Sequence, residues 1–200
     1  MTLDPTRSES YPLMRRQVVA DLLAERGETL VVSGLGAPSW DVTAAGEDAR
    51  CFPLWGAMGG AVMVGLGLAL AQPARRVLVI TGDGELLMGL GSLAVVAAKQ
   101  PTNLAIAVLD NERYGETGMQ ATHTAGATDL AATARGLGIA QAETVAEETE
   151  LAAAKARLLA APGPLLIDIK VRAEDLPLVL PPKDGVALKM RFRRALLGTD

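Results

Sequence analysis

Two polar turns in this chain carry the oxygen atoms that could hold a metal ion. Thr81-Gly82-Asp83-Gly84 follows the apolar run Val77–Ile80, and Asp110-Asn111 follows the apolar run Leu104–Leu109. Asp83 and Asn111 each offer a hard oxygen, and two such oxygens with backbone carbonyls suit Mg²⁺ when ligand phosphates complete the shell. Gly82 and Gly84 remove side chains where an anion would approach backbone N–H groups, and a following helix adds a favourable field. A lone Gly-Asp-Gly turn is ordinary turn chemistry. A second oxygen-bearing turn one crossover later narrows the reading.

The elements around these turns predict how they meet. Both apolar runs are rich in Val, Ile and Leu and read as buried strands, and Glu85–Lys99 reads as one apolar helix between them. This is a βαβ unit, whose crossover makes the strands parallel and opens both turns at the same carboxyl edge.

Composition narrows the classes. The 200 residues are 50% hydrophobic and 3% aromatic with 21 glycines, which predicts an aliphatic, closely packed core. A net charge of −4 gives no electrostatic case for nucleic acid. The single cysteine, Cys51, excludes a disulfide framework and a cysteine-ligated iron–sulfur cluster. Met1–Ser10 is polar and lacks the apolar core of a secretory signal. The most apolar stretch, Ala57–Ala71, is too short for a membrane span and contains four glycines. The expectation is a cytoplasmic protein with no membrane contact.

In chain order, Tyr11–Arg26 has the spacing of an amphipathic helix with Gly27 as C-cap, and Thr29–Val32 reads as a strand. The strand leads into "SGLGAPSW", where Pro38 interrupts the turn and a third glycine is missing, which weakens a nicotinamide-binding reading. Cys51–Leu54 reads as a strand, with a glycine-rich helix from about Ala57. Arg113–Thr128 reads as a loop, and Asp129 as the N-cap of a helix from Leu130. Ala140–Val145, Glu147–Ala161 and Pro164–Lys170 read as strand, helix and strand. Lys189, Arg191, Arg193 and Arg194 form a basic cluster on a terminal helix, read as a solvated face. The fold class is α/β: one domain over 1–200, a parallel sheet with helices on both faces.

"GDGELLMGLGSLAVVAAKQPTNLAIAVLDN" resembles the GDG…N signature of thiamine-diphosphate enzymes, which holds Mg²⁺ and the cofactor's diphosphate. The resemblance implies three metal ligands: Asp83, Asn111 and the backbone carbonyl of Arg113. Gly56 and Met58 match a glycine whose carbonyl meets the aminopyrimidine and a hydrophobic side chain that bends the cofactor. Ser33, Gly34 and Gly36 match a loop that touches the diphosphate. Ala57, Gly82, Gly84, Glu85, Tyr114, Gly115, Glu116 and Thr117 fall on further cofactor-facing positions. Tyr114, Glu116 and His123 are candidates to face substrate. His123, the sole histidine, is by itself more simply a solvated loop residue than a proton shuttle.

"LLMGLGSLA", "LDNERYGETGMQAT" and "LKMRFRRALLG" are similar to sulfopyruvate and phosphonopyruvate decarboxylases. Glu85, Ala57 and Glu116 stand where those families carry hydroxyl residues. Two of the three add a carboxylate, from which a sulfonate or phosphonate substrate gains nothing, so the 2-oxo acid stays open. The resemblance also implies a missing half: a second domain, on a separate alpha subunit, supplying the glutamate that hydrogen-bonds the aminopyrimidine. The expected function is the beta subunit of a decarboxylase that releases CO₂ from a 3-sulfopyruvate- or 3-phosphonopyruvate-like acid. Ligation or acyl transfer on another 2-oxo acid, a Rossmann-type dehydrogenase subunit and a non-catalytic cofactor-binding homologue are the alternatives.

Overall fold

A computed structural model describes residues 6–54 and 56–198. Six strands form one parallel sheet: β1 (Leu30–Ser33), β2 (Cys51–Pro53), β3 (Val77–Gly82), β4 (Leu104–Asp110), β7 (Gln141–Val145) and β8 (Leu165–Lys170). Their order is β2-β1-β3-β4-β8-β7. A short antiparallel hairpin, β5 (Arg113–Tyr114) with β6 (Gln120–Ala121), stands apart from it.

Period-two alternation along the strands builds two cores, one on each face. Val77, Val79, Leu104, Ile106 and Val108 pack with α3 (Ala61–Ala71), α4 (Asp83–Met88), α5 (Ser92–Lys99) and α6 (Leu130–Gly136). Leu78, Ile80, Ala105, Ala107 and Leu109 face the other way, toward α1 (Arg15–Ala24), α2 (Ala37–Ala44) and α7 (Glu148–Ala160). The expected three layers are therefore present. At Gly65 the sheet comes so close to α3 that a Cβ would lie 2.2 Å from Val79 Cγ2. Helix α8 (Gly185–Leu197) is capped by Asp184 Oδ1, which accepts from Val186 N and Ala187 N. Its Phe192 ring lies 5.4 Å from that of Phe52. Arg191, one of its basic residues, pairs with Glu47 at 3.3 Å.

The structure departs from the sequence reading in three places. The stretch Glu85–Lys99 is two helices, α4 and α5, because Gly89 meets a neighbour: a Cβ there would lie 2.1 Å from Gly59 O. Pro38 does not interrupt the chain but sits in the first turn of α2, where its missing N–H costs no hydrogen bond. The glycine-rich helix starts at Ala61 rather than Ala57, with Gly60 as its N-cap. Asp129 caps α6 as expected, its Oδ1 accepting from Ala132 N at 2.7 Å.

Among the described residues no helix is long and apolar enough to cross a membrane. Strand β1 is followed by β2 on one side while β3 pairs on its other side and leads away to β4. The carboxyl ends of β1 and β3 thus flank a topological switch point, the place where such sheets bind ligands.

Candidate active site

A cavity of about 190 Å³ opens at that switch point. Three loops wall it: Leu35–Pro38 after β1, Gly82–Glu85 after β3, and a third after β4 that contributes Asn111, Arg113, Tyr114 and Gly115–Thr117. Arg15, Met58 and Leu109 complete the lining. Asp83 and Asn111, distant in sequence, therefore face one space, as the crossover requires.

Asp83 is 2% exposed, and both of its side-chain hydrogen bonds converge on Oδ2: from Thr122 Oγ1 at 2.5 Å and Thr124 Oγ1 at 3.0 Å. Oδ1 takes no side-chain bond among the described residues. Burial, and after it the nearby Asp110 carboxylate, pushes the Asp83 pKa up to about 8 against those threonine bonds. Among the described residues no lysine or arginine forms an ion pair with Asp83. Thr124 also bonds Asp110 Oδ1 at 2.8 Å, and Lys170 Nζ meets Asp110 Oδ2 at 2.6 Å. Burial works against the charge of Lys170, but Asp110 and Asp168 outweigh it and hold its pKa above the usual lysine value. Lys170 is thus committed to Asp110 and leaves Asp83 uncompensated.

Asn111 Oδ1 accepts from the Arg113 N–H at 3.1 Å and so fixes the turn after β4. Between them Glu112 has φ 60 and is fully buried. Its carboxylate accepts from Arg7 Nε at 3.0 Å and Tyr11 Oη at 2.8 Å. Burial and this bond push the Tyr11 hydroxyl up to about 12. Thr122 N donates to Glu112 O at 3.0 Å, which makes Glu112–Thr122 a hydrogen-bonded pair. The adjacent pair, Arg113–Ala121, then lies between ladder bonds, and the Arg113 carbonyl points out of the hairpin.

Among the described residues no group of three or more His, Cys, Asp or Glu side chains is placed to hold a metal. A divalent cation here would take Asp83, Asn111 and a carbonyl, and would need oxygens from its ligand. That donor set suits Mg²⁺ bound with a diphosphate. Gly84 and Gly36 are packed against side chains of the third loop: a Cβ on Gly84 would lie 2.5 Å from the Tyr114 ring, and one on Gly36 would lie 3.0 Å from Glu116 Cγ.

Several residues expected at the cofactor have their polar atoms engaged within the protein or lie outside the cavity lining. The Glu85 carboxylate turns away to cap α3: Oε1 accepts from Gly59 N at 3.0 Å and Ala61 N at 3.1 Å, and Oε2 accepts from Thr81. It satisfies N–H groups that the glycine-rich entry to α3 leaves open. Ser33 is 1% exposed and spends its hydroxyl on Ser39 Oγ at 2.9 Å, so it ties β1 to α2. Gly34 packs on Thr81, whose Oγ1 would lie 2.9 Å from an added Cβ. Gly56 and Ala57 lie in the turn before α3 and do not line the cavity, whereas Met58 does. His123 is exposed on a short 3₁₀ turn, also outside the lining.

The loop expected over 113–128 is more ordered than its composition suggests. Glu116 Oε1 accepts from Trp40 Nε1 at 2.8 Å, and the Thr117 hydroxyl bonds Gln120 Oε1 at 2.9 Å. Sequence reasoning missed Thr122, Thr124, Trp40 and Arg15. A proline just after Gly36 was the available signal for α2, which carries Trp40. The threonines carried no local signal, because their partner Asp83 is remote in sequence.

The model of a family described as thiamine pyrophosphate enzyme, C-terminal TPP binding domain, matches residues 41–169. The chain belongs to this family. It is 42% identical over 126 residues to the sulfopyruvate decarboxylase subunit beta of Methanothermobacter thermautotrophicus, covering 63% of this chain and 67% of that one. The corresponding subunit of Methanococcus maripaludis is 32% identical over 187 residues, 92% of this chain and 98% of that one. Phosphonopyruvate decarboxylase of Streptomyces viridochromogenes is 39% identical over 196 residues, 98% of this chain but 49% of that one. The chain thus spans about half the length of that relative. A Mycobacterium smegmatis protein assigned as a thiamin diphosphate-dependent enzyme shares the fold, with a TM-score of 0.69 over 82% of this chain and 32% of that one at 22% identity. The matched residues 41–169 of the thiamine pyrophosphate domain include Asp83, Asn111 and the Thr122–Thr124 hairpin end, and leave Arg15 outside.

Proposed function

We propose that residues 1–200 form one diphosphate- and Mg²⁺-binding domain, the beta subunit of a thiamine-diphosphate-dependent 2-oxo acid decarboxylase. The observation that carries this is the meeting of Asp83, a buried carboxylate, and Asn111 on one cavity wall at the carboxyl edge of the sheet. Kinship with sulfopyruvate decarboxylase beta subunits and phosphonopyruvate decarboxylase supports the reaction class. It favours a 2-oxo acid bearing a second anionic group at carbon 3, such as 3-sulfopyruvate or 3-phosphonopyruvate.

Bound thiamine diphosphate supplies an electron sink for the pair left when a 2-oxo acid loses CO₂. This chain's residues serve to hold it. Asp83 Oδ1, Asn111 Oδ1 and the Arg113 carbonyl take the metal, and Thr122 and Thr124 fix the rotamer of Asp83. Backbone N–H groups around Gly82, Gly84 and Gly36 approach the diphosphate. Met58, 37% exposed on the cavity wall, gives the cofactor rings an apolar rest. Lys170 and Asp110 keep the loop after β4 in place from behind. Among the described residues the cavity wall carries no histidine, and its carboxylates Asp83, Glu85 and Glu116 are bonded to Thr122, to the entry of α3 and to Trp40. Activation of the aminopyrimidine falls to a partner alpha subunit, with which this chain forms a hetero-oligomer.

The test is calorimetric titration of thiamine diphosphate into this chain and into its complex with a candidate alpha subunit, with Mg²⁺ and with EDTA. Binding that needs Mg²⁺ and disappears in Asp83→Ala is the expected result. No binding in either preparation would overturn the reading. Release of CO₂ from 3-sulfopyruvate or 3-phosphonopyruvate is expected only from the complex, and full activity of the chain alone would remove the alpha subunit from the proposal.

A further inference from the structure

Arg15 is the first residue of α1 and is only 6% exposed, a rare setting for a guanidinium. Its Nε donates to Asp41 Oδ2 at 2.5 Å, while Arg16 Nε donates to the other oxygen, Oδ1, at 2.9 Å. Asp41 is fully buried, so one carboxylate serves two guanidinium groups and a positive charge is left over. Arg16 directs its Nη2 outward to the Pro177 carbonyl at 2.9 Å. The terminal nitrogens of Arg15 have no acceptor among the described residues, yet neither is sealed from solvent. They belong to a side chain that lines the cavity.

The surroundings favour an anion at that point. Gly36, Ala37 and Pro38 share the wall with Arg15, and α2 begins there, so its amino-terminal field adds to the guanidinium charge. Of the two acidic side chains besides Asp83 on this wall, Glu85 is turned to the entry of α3, while Glu116 accepts from Trp40 Nε1 with its carboxylate against Gly36. A guanidinium whose Nε is fixed by a carboxylate presents its Nη1–Nη2 edge as a fork, the shape that takes two oxygens of a phosphate.

We infer that Arg15 grips the terminal phosphate of the bound diphosphate, with Asp41 holding the guanidinium in place. This rests on the cavity being the cofactor site proposed above. Arg15 acts as a positioning residue: it distinguishes a diphosphate from a monophosphate and sets how deep the cofactor sits.

Thiamine diphosphate and thiamine monophosphate, each with Mg²⁺, are titrated into the full chain, in its complex where the complex is needed. Wild type, Arg15→Gln, Arg15→Lys and Arg16→Gln are compared, with thermal melts to confirm folding. Arg15→Gln is expected to weaken diphosphate binding about 10- to 100-fold and to leave the monophosphate little changed. Arg15→Lys recovers part of the loss. Arg16→Gln, which cuts the other bond to Asp41 but does not line the cavity, retains diphosphate affinity. Equal losses in Arg15→Gln and Arg16→Gln, or equal losses for the two ligands, would overturn the inference and leave a structural ion pair. Failure of the wild type to bind thiamine diphosphate would instead remove the cofactor reading, and the role of Arg15 with it.

Discussion

The Thr122 hydroxyl lies 2.5 Å from Oδ2 of Asp83 and ties the turn after β3 to the hairpin that follows β4. The two residues come from different loops, so the bond exists only once the sheet has brought both turns to one edge. It fixes Oδ2 and leaves Oδ1 without a side-chain partner among the described residues. Thr122→Val is expected to weaken Mg²⁺-dependent cofactor binding about 10- to 100-fold, the usual effect of losing a bond that orients a metal ligand. Titration of Mg²⁺ at fixed thiamine diphosphate checks this, and unchanged affinity would show that Asp83 needs no such support.

Glu85 provides a contrast within the same turn. Its carboxylate accepts two backbone N–H groups at the entry to α3 rather than facing the diphosphate. Glu85→Ala should therefore cost about 1–3 kcal/mol of stability by leaving buried donors without an acceptor. Cofactor affinity, measured on the folded variant, should stay near that of the wild type. A large loss of affinity with an unchanged melt would return Glu85 to the cofactor.

Gly89 separates α4 from α5 because its backbone lies against Gly59, with only 2.1 Å between an added Cβ and Gly59 O. Gly89→Ala must push the two segments apart and is expected to destabilise the fold by roughly 1–3 kcal/mol. Gly67, on the open side of α3, has nothing within 4 Å of an added Cβ. Gly67→Ala should be neutral or stabilising, since it improves helix propensity by about 1 kcal/mol without a clash. Chemical denaturation of the pair separates packing from propensity.

Cys51 is buried, and burial pushes its thiol from the ordinary 9.0 up to about 11. A folded thiol with a raised pKa keeps a proton that the unfolded chain has released. Stability therefore falls as pH rises from about 9 toward 11 through this group. At pH 8 the native chain should react with an alkylating reagent far more slowly than the unfolded chain. Equal rates would show that the strand-edge position of Cys51 is open to solvent.

The part of this fold that was legible in the sequence is the part that local pattern dictates. The apolar runs gave β3 and β4, their polar ends gave Asp83 and Asn111, and Asp129 announced its own helix. What was not legible depends on contacts between distant residues. The break at Gly89 is made by Gly59, and nothing in "LLMGLGSLA" marks it. Ser33 seemed free to meet a ligand because Ser39, its partner, lies in a helix that Pro38 had concealed. Arg15 fell on the polar side of an amphipathic pattern, where its pairing with Asp41 and its place in the cavity could not be seen. Resemblance singled out the residues expected near a diphosphate; only geometry sorted those that line the cavity from those whose side chains hold the loops together.

The segment before α1 has an unexpected reach. Arg7 meets both the Glu112 carboxylate, at 3.0 Å, and the Thr124 carbonyl, at 2.8 Å, while Tyr11 meets the same carboxylate at 2.8 Å. Arg7 joins the stretches on either side of the hairpin, Glu112 next to Asn111 and Thr124 against Asp83, and Tyr11 adds a second hold on Glu112. Residues 7–11 are thus a strap across the back of the loops that carry Asn111 and Asp83. Trimming them, or crowding them with a purification tag, would loosen the proposed cation site from behind while leaving Asp83, Asn111 and Arg113 themselves unchanged.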